Sequence, residues 1–183
     1  MRLRGIFGHR QEAVRANGLY LAIVAQARQA GFYERLGVPD TVDGRFEMIV
    51  VHAVMVLRRL RGAGAEGKKL SQALFDRMFA DMDRSLRELG AGDLGVGRRV
   101  KAMAKAFYGR ADVYEQGLDG PEGALEEAVG RNIYGTVPLP AQHASEITRY
   151  FRREMASLSE FNEQDLLEGR VSFGPPPDLQ EPD

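Results

Sequence analysis

Apolar residues recur along this chain mainly at three- and four-residue intervals, the signature of amphipathic helices, and Gly and Pro cut the pattern into segments. The first predicted helix covers about residues 10 to 30, with Ala13, Ala16, Tyr20, Ile23, Val24 and Ala27 on one stripe and Gly31 as its stop signal. Residues 32–44 read as irregular, because Pro39 disfavours helix at Val38 and Thr41 to Gly44 have turn chemistry. A second helix is predicted over about residues 45 to 61. Phe46, Ile49, Val50, Ala53, Val56, Leu57 and Leu60 keep a 3.6 period, while Met48, Val51, Val54 and Met55 fill the other side. An element apolar nearly all round belongs inside a bundle. Its β-branched density also suits a strand, but a run of this length without a turn signal is long for one.

The third segment, about residues 70 to 89, sets Leu70, Leu74, Met78, Met82, Leu86 and Leu89 on one side, with Phe75 and Phe79 beside them. The fourth, about 96 to 116, carries Val96, Val100, Met103, Phe107 and Tyr114. Pro121 suits the first position of a fifth helix reaching Tyr134. A sixth covers about 142 to 158 with Ile147, Tyr150, Phe151, Met155 and Leu158, and a short helical piece follows near 160 to 168. The fold class expected is all-α: a single-domain bundle of about six helices over residues 1–173, with a Pro-rich tail, 174–183, expected to be disordered.

Composition narrows the chemistry. The 183 residues are 44% hydrophobic and 28% charged, which is globular composition. Cysteine is absent, which removes disulfides, thiolate metal sites and cysteine nucleophiles together. His9, His52 and His143 do not lie at metal-ligand spacing. His52, on the most apolar helix, reads as a hydrogen-bonded core histidine. No catalytic group, metal site or cofactor is expected. Gly62 to Lys68 has the spacing of a phosphate-binding loop, but Lys69 stands where Ser or Thr is needed and a helix precedes it, so it reads as a flexible interhelix loop. Gly90 to Gly95 fails as a dinucleotide fingerprint for want of a strand before it. No apolar run approaches the ~20 residues of a membrane span. The basic N-terminus has no apolar stretch of signal-peptide length; it reads as a frayed end, the alternative being that Arg2, Arg4 and Arg10 around Leu3, Ile6 and Phe7 brush a membrane surface.

The net charge of -1 hides a division. Residues 1–110 carry 20 Lys+Arg against 11 Asp+Glu, and residues 111–183 carry 5 against 15. Arg58, Arg59 and Arg61 end a helix, where the dipole favours cations. Asp76, Asp81 and Asp83 interleave with Arg77, Arg84 and Arg87 as a salt-bridged face. Arg98, Arg99, Lys101 and Lys105 fall in the first turns of the fourth helix, where cations are disfavoured. They either bridge to the third helix's carboxylates or meet a partner. With Lys68 and Lys69 they would form one patch for a ribosome, an anionic lipid surface or an acidic protein.

One set of motifs is longer than chance supplies. Val38-Pro39-Asp40-Thr41 and Asp43-Gly44-Arg45-Phe46-Glu47 lead into His52 and Leu57-Arg58-Arg59-Leu60. Leu74-Phe75-Asp76, Met78-Phe79, Asp81-Met82-Asp83 and Ser85 to Gly90 follow, then Gly92-Asp93-Leu94, Val96-Gly97, Arg99-Val100-Lys101 and Met103-Ala104. Ala106 to Arg110, Tyr114 and Arg131-Asn132-Ile133-Tyr134-Gly135 close the series. Together they resemble the ubiquinol–cytochrome c chaperone family over about residues 19 to 151. The resemblance implies an assembly chaperone, not an enzyme. Its client would be newly made cytochrome b and its product the respiratory ubiquinol–cytochrome c reductase. Mitochondrial members act beside the ribosome with a small helper protein, so a helper and a ribosome are candidate partners here too; no DNA partner is expected. Without a mitochondrial leader the chain looks like a bacterial relative, expected in the cytoplasm or peripheral at the inner face of the inner membrane. Two other classes stay open: a helical enzyme or binder for a quinone or isoprenoid, and a helical module binding RNA or the ribosome.

Overall fold

The computed structural model describes residues 3–88, 90, 92–135, 137 and 141–179. Among them the secondary structure is helical throughout: α1 (Leu3–Ala27), α2 (Ala30–Glu34), α3 (Val42–Arg61), α4 (Gly64–Glu88), α5 (Asp93–Asp119), α6 (Ala124–Tyr134), α7 (Ala141–Glu160) and α8 (Glu163–Leu167). The all-α expectation holds, with two single-turn helices beyond the six long segments. The described residues gather into two compact units, and α1, α3 and α5 contribute residues to both.

The first unit comprises residues 3–22, Leu57–Gly109 and Phe161–Val171. Its core is built on α4, where Leu70, Leu74, Met78, Met82 and Leu86 recur every fourth residue and are all buried. Ala16, Leu19 and Tyr20 of α1, Leu60, Val96, Phe107 and Leu166 are buried as well. Phe107 takes the edges of Phe75 and Phe79, with ring centroids 5.7 and 6.1 Å away. The backbones of Gly18 and Gly169 meet closely: a Cβ on Gly18 would lie 2.5 Å from the Gly169 carbonyl oxygen. Bulk at either position would push α1 off the turn that follows α8.

The second unit comprises Ile23–Val56, Arg110–Glu160 and residues 172–179. Residues 50–56 of α3 are all buried, as expected for a helix with no polar face to give to water. Phe32, Leu36, Tyr114, Leu125, Val129, Ile133, Ile147, Tyr150 and Phe151 are buried in the same unit. The Tyr134 hydroxyl donates to the Leu36 carbonyl at 2.7 Å, which ties down the stretch before α3.

Four expectations need correction. Gly31 does not stop a helix but sits inside α2, whose Phe32 and neighbouring Leu36 are fully buried; tertiary burial overrides poor local propensity. Pro121 does not open α6. Its carbonyl accepts from the Ala124 N–H at 3.2 Å in a turn, and Gly123, with φ of 89°, breaks the helical path, so α6 starts at Ala124. The expected flexible loop at residues 62–68 is mostly helix, because α4 begins at Gly64. Finally, residues 174–179 of the tail are not disordered. Gly174 and Pro175 are hydrogen-bonded to α1 and α7, and Asp178 pairs with Arg35 at 3.0 Å. Composition suggested a segment unable to pack, but consecutive prolines are already stiff and lose little freedom on docking. Residues 180–183 lie outside the described residues.

Candidate partner-binding surface

Helix α5 begins at Asp93, one turn earlier than the sequence pattern suggests. That shift moves Arg98 and Arg99 out of the first turn and Lys101 and Lys105 a further turn from the helix start, so the dipole penalty expected for them largely disappears. All four are exposed, and among the described residues none enters an ion pair. Three α4 carboxylates open to such a bridge are taken nearer home. Asp81 accepts from Arg77 at 3.1 Å and from the Tyr20 hydroxyl at 2.9 Å; Asp83 pairs with Arg87 at 2.6 Å; Asp76 accepts from Gln72 at 2.8 Å.

Helical spacing sorts the cations. At about 100° per residue, Arg98, Lys101 and Lys105 share one line spanning ~10 Å, and Arg99 points about 100° away. Tyr108 continues the same line. It is 60% exposed, yet its ring lies 5.1 Å from that of Phe75, so an aromatic face is held at the end of the row. Sequence reasoning missed Tyr108, although its spacing of three from Lys105 was a usable signal.

Lys68 and Lys69 do not join this row. Phe75 of α4 faces Phe107 and Tyr108 of α5, and a short connection makes the two helices antiparallel. Counting 1.5 Å per residue from that crossing, Lys69 lies ~13 Å along the axis from Lys105 and ~23 Å from Arg98. Lys69 instead edges a shallow groove of about 530 Å³ between α1 and α4, floored by Ala13, Ala73 and Ala80. The structure therefore brings three of the six cations into a row and separates the lysine pair from them.

The second unit buries two polar clusters. In the first, the Met48 carbonyl faces His52 Nδ1 at 2.7 Å, and a carbonyl only accepts, so Nδ1 carries the proton. Nε2 then accepts from the Tyr150 hydroxyl at 2.7 Å, and that oxygen accepts from Gln26 Nε2 at 3.0 Å. Burial holds His52 down at about 4, so it is neutral near pH 7, and the same burial pushes the Tyr150 hydroxyl upward. In the second, Glu47 of α3, only 3% exposed, pairs with Arg110 of α5, whose guanidinium lies over Phe46. Burial lifts the Glu47 carboxyl to about 7 against the pull of Arg110. Tyr114 and Asn132 lie beside this pair, and Glu47 Oε2, the Tyr114 hydroxyl and Asn132 Nδ2 close no well-formed hydrogen bond. A charged residue beside Met48 on an otherwise apolar helix was the signal for this cluster, and pattern reasoning passed over it.

Among the described residues no group of three or more His, Asp or Glu converges as a metal site would. Nor is any helix among the described residues long and apolar enough to cross a membrane. The described residues are all-α with an exposed row of cations ending in a tyrosine, and comparison with known proteins bears on the fold class and the family. The sequence profile of the ubiquinol-cytochrome C chaperone family matches residues 34–173, and the chain belongs to this family. The crystal structure of the Cbp3 homolog from Brucella abortus superposes with a TM-score of 0.80 at 37% identity, covering 95% of this chain and 97% of that one. Human ubiquinol-cytochrome c reductase complex assembly factor 1 is 25% identical over 158 residues, which is 86% of this chain and 53% of the human protein. The mitochondrial protein CBP3 of Saccharomyces cerevisiae is 28% identical over 151 residues, 79% of this chain and 44% of that protein. The chain thus spans about half the length of these two relatives.

Proposed function

We propose that this chain is an assembly factor for the respiratory ubiquinol–cytochrome c reductase and that its client is newly made cytochrome b. The observation that carries the reading is the family match over residues 34–173, supported by a fold shared with a Cbp3 homolog along nearly the whole of both chains. The described residues suit work by binding. They carry an exposed row of cations that enters no ion pair among the described residues. Arg98, Lys101 and Lys105 would hold acidic or phosphate groups of a partner that emerges near a membrane or a ribosome. Among the described residues the row has no fixed counter-charge, so contact with it is electrostatic and salt-sensitive. On this reading the chain works without a cofactor, at the cytoplasmic face of the membrane that carries the reductase, with or without a small helper protein.

The test is recovery of cytochrome b with the tagged chain from detergent-solubilised membranes while synthesis is under way. Cytochrome b should be enriched over other membrane proteins, and Arg98→Glu with Lys101→Glu should lower its yield. Recovery of RNA or ribosomes alone, with steep salt dependence and no cytochrome b, would replace this reading with that of an RNA-binding module.

A further inference from the structure

The tail that composition marked as disordered is seated in a cradle made for it. Phe173 sets its ring edge to face with that of His52, centroids 5.1 Å apart, and His52 in turn meets the Phe32 and Tyr150 rings. The next residue is read through its main chain on both sides: the Gly174 N–H donates to Glu154 Oε2 at 2.8 Å, and its carbonyl accepts from Gln26 Nε2 at 2.7 Å. Arg153, stacked 5.0 Å from the Tyr150 ring centre, donates to the Pro175 carbonyl at 2.6 Å. Pro176 comes down over Gly31, where a side chain would be in its way.

Two features separate this arrangement from ordinary core packing. Glu154 and Gln26 are buried polar groups, 2% and 8% exposed; Glu154 Oε1 accepts from Arg153, while Glu154 Oε2 and Gln26 Nε2 reach the tail's backbone. Such bonds recognise an extended chain without regard to most of its side chains; the aromatic socket supplies the selectivity. That division of labour, main-chain bonds for affinity and one pocket for identity, is how protein modules take extended peptides. The family match also ends at Phe173, so the plug belongs to the shared domain and the proline run lies beyond it.

We propose that the cradle between α1, α3 and α7 is a peptide-binding site, held in this structure by the chain's own C-terminal strap. Its exogenous ligand is an extended partner segment that presents an aromatic side chain followed by a small residue and proline. The strap competes in cis. A short tether sets its effective concentration in the millimolar range, so a partner segment gains the site only when it is tighter or when the strap is loosened. The inference is read from the strap's own contacts and does not rest on the assembly function.

The test uses full-length protein and a fluorescein-labelled peptide copying residues 170–183, followed by anisotropy. Wild type should bind weakly because the strap is in place. Phe173→Ala removes the plug and should bind the peptide at least about tenfold more tightly, the equivalent of ~1.4 kcal/mol. Asp178→Lys, which opposes Arg35 without touching the socket, should move affinity the same way by less. A peptide with Ala in place of Phe should not bind either variant. Equal, weak binding to wild type and to both variants, with helical circular dichroism intact, overturns the proposal. So does loss of the helical signal in Phe173→Ala with no gain in Asp178→Lys, which would make the strap a fixed part of the core. A wild-type dimer that forms with rising concentration and is dissolved by the peptide would assign the cradle to a second copy and likewise overturn it.

Discussion

Replacing Tyr150 by Phe removes one oxygen and leaves the ring, so it isolates the hydroxyl's part in the His52 cluster. The ring keeps its edge contacts with Phe32 and His52, at 5.1 and 5.6 Å between centroids, and no cavity of side-chain size opens. Two hydrogen bonds go: the one donated to His52 Nε2 and the one accepted from Gln26. His52 is fully buried and its Nδ1 proton is committed to Met48, so Nε2 is left as a lone pair without a donor. An unmatched buried acceptor costs about 1–3 kcal/mol. Gln26 still reaches the Gly174 carbonyl, which limits its share. The expected loss is ~2–3 kcal/mol, and for a chain of this length each kcal/mol lowers Tm by about 2–4 °C, giving a fall of ~5–10 °C. Guanidinium unfolding at pH 7, followed by far-UV circular dichroism, should show a lower midpoint with an unchanged m value. A change below about 0.5 kcal/mol, no larger than a neutral surface substitution, would refute the claim that this hydroxyl fixes the histidine.

Two buried groups should oppose one another in pH dependence. His52 is held down from 6.5 to about 4, so the unfolded chain binds a proton that the folded chain refuses, and its contribution is lost as pH falls from 6.5 toward 4. Glu47, lifted from 4.5 to about 7, keeps a proton that the unfolded chain gives up, so its contribution falls as pH rises across that interval. Glu47→Gln should therefore gain up to ~3 kcal/mol relative to wild type between pH 4.5 and 7 in denaturant titrations, and a constant difference would contradict the burial account. Two glycines should respond with opposite sign when changed to Ala. Gly18 has no room beside the Gly169 backbone and should lose about 1–3 kcal/mol, while Gly97, in α5 with nothing within 4 Å, should gain ~0.5–1 kcal/mol; both are read as Tm. Joint reversal of Arg98, Lys101 and Lys105 to Glu should shift stability by no more than ~0.5 kcal/mol per site while cutting cytochrome b recovery. Unfolding of that variant would show that the row is structural.

The long helices were legible because each has an unbroken apolar stripe. The ladder from Leu70 to Leu86 alone forces α4, and the apolar surround of Met48 to Val56 forces the burial of α3. What stayed illegible depends on contacts distant in sequence. Gly31 carries a local signal that tertiary burial overrode, Pro121 one that the turn at Gly123 overrode, and the strap is ordered by Gln26, Arg153 and Glu154, which no local window contains. The cationic row was visible as charge, but its geometry was not. Only the placement of Phe75 against Tyr108 shows that Lys68 and Lys69 stand apart from it. The Glu47–Arg110 pair escaped because its partners lie on different helices and each alone reads as an ordinary charged residue.

The assembly reading turns on what happens to the reductase when this chain is absent. In a strain lacking the gene, membranes would be assayed for assembled ubiquinol–cytochrome c reductase on native gels and for b-type haem by difference spectra, with a soluble dehydrogenase as control. The account predicts that reductase and its cytochrome b fall together, that the dehydrogenase is unchanged, and that returning the wild-type gene restores both. Normal levels of assembled reductase and of cytochrome b in that strain would contradict it.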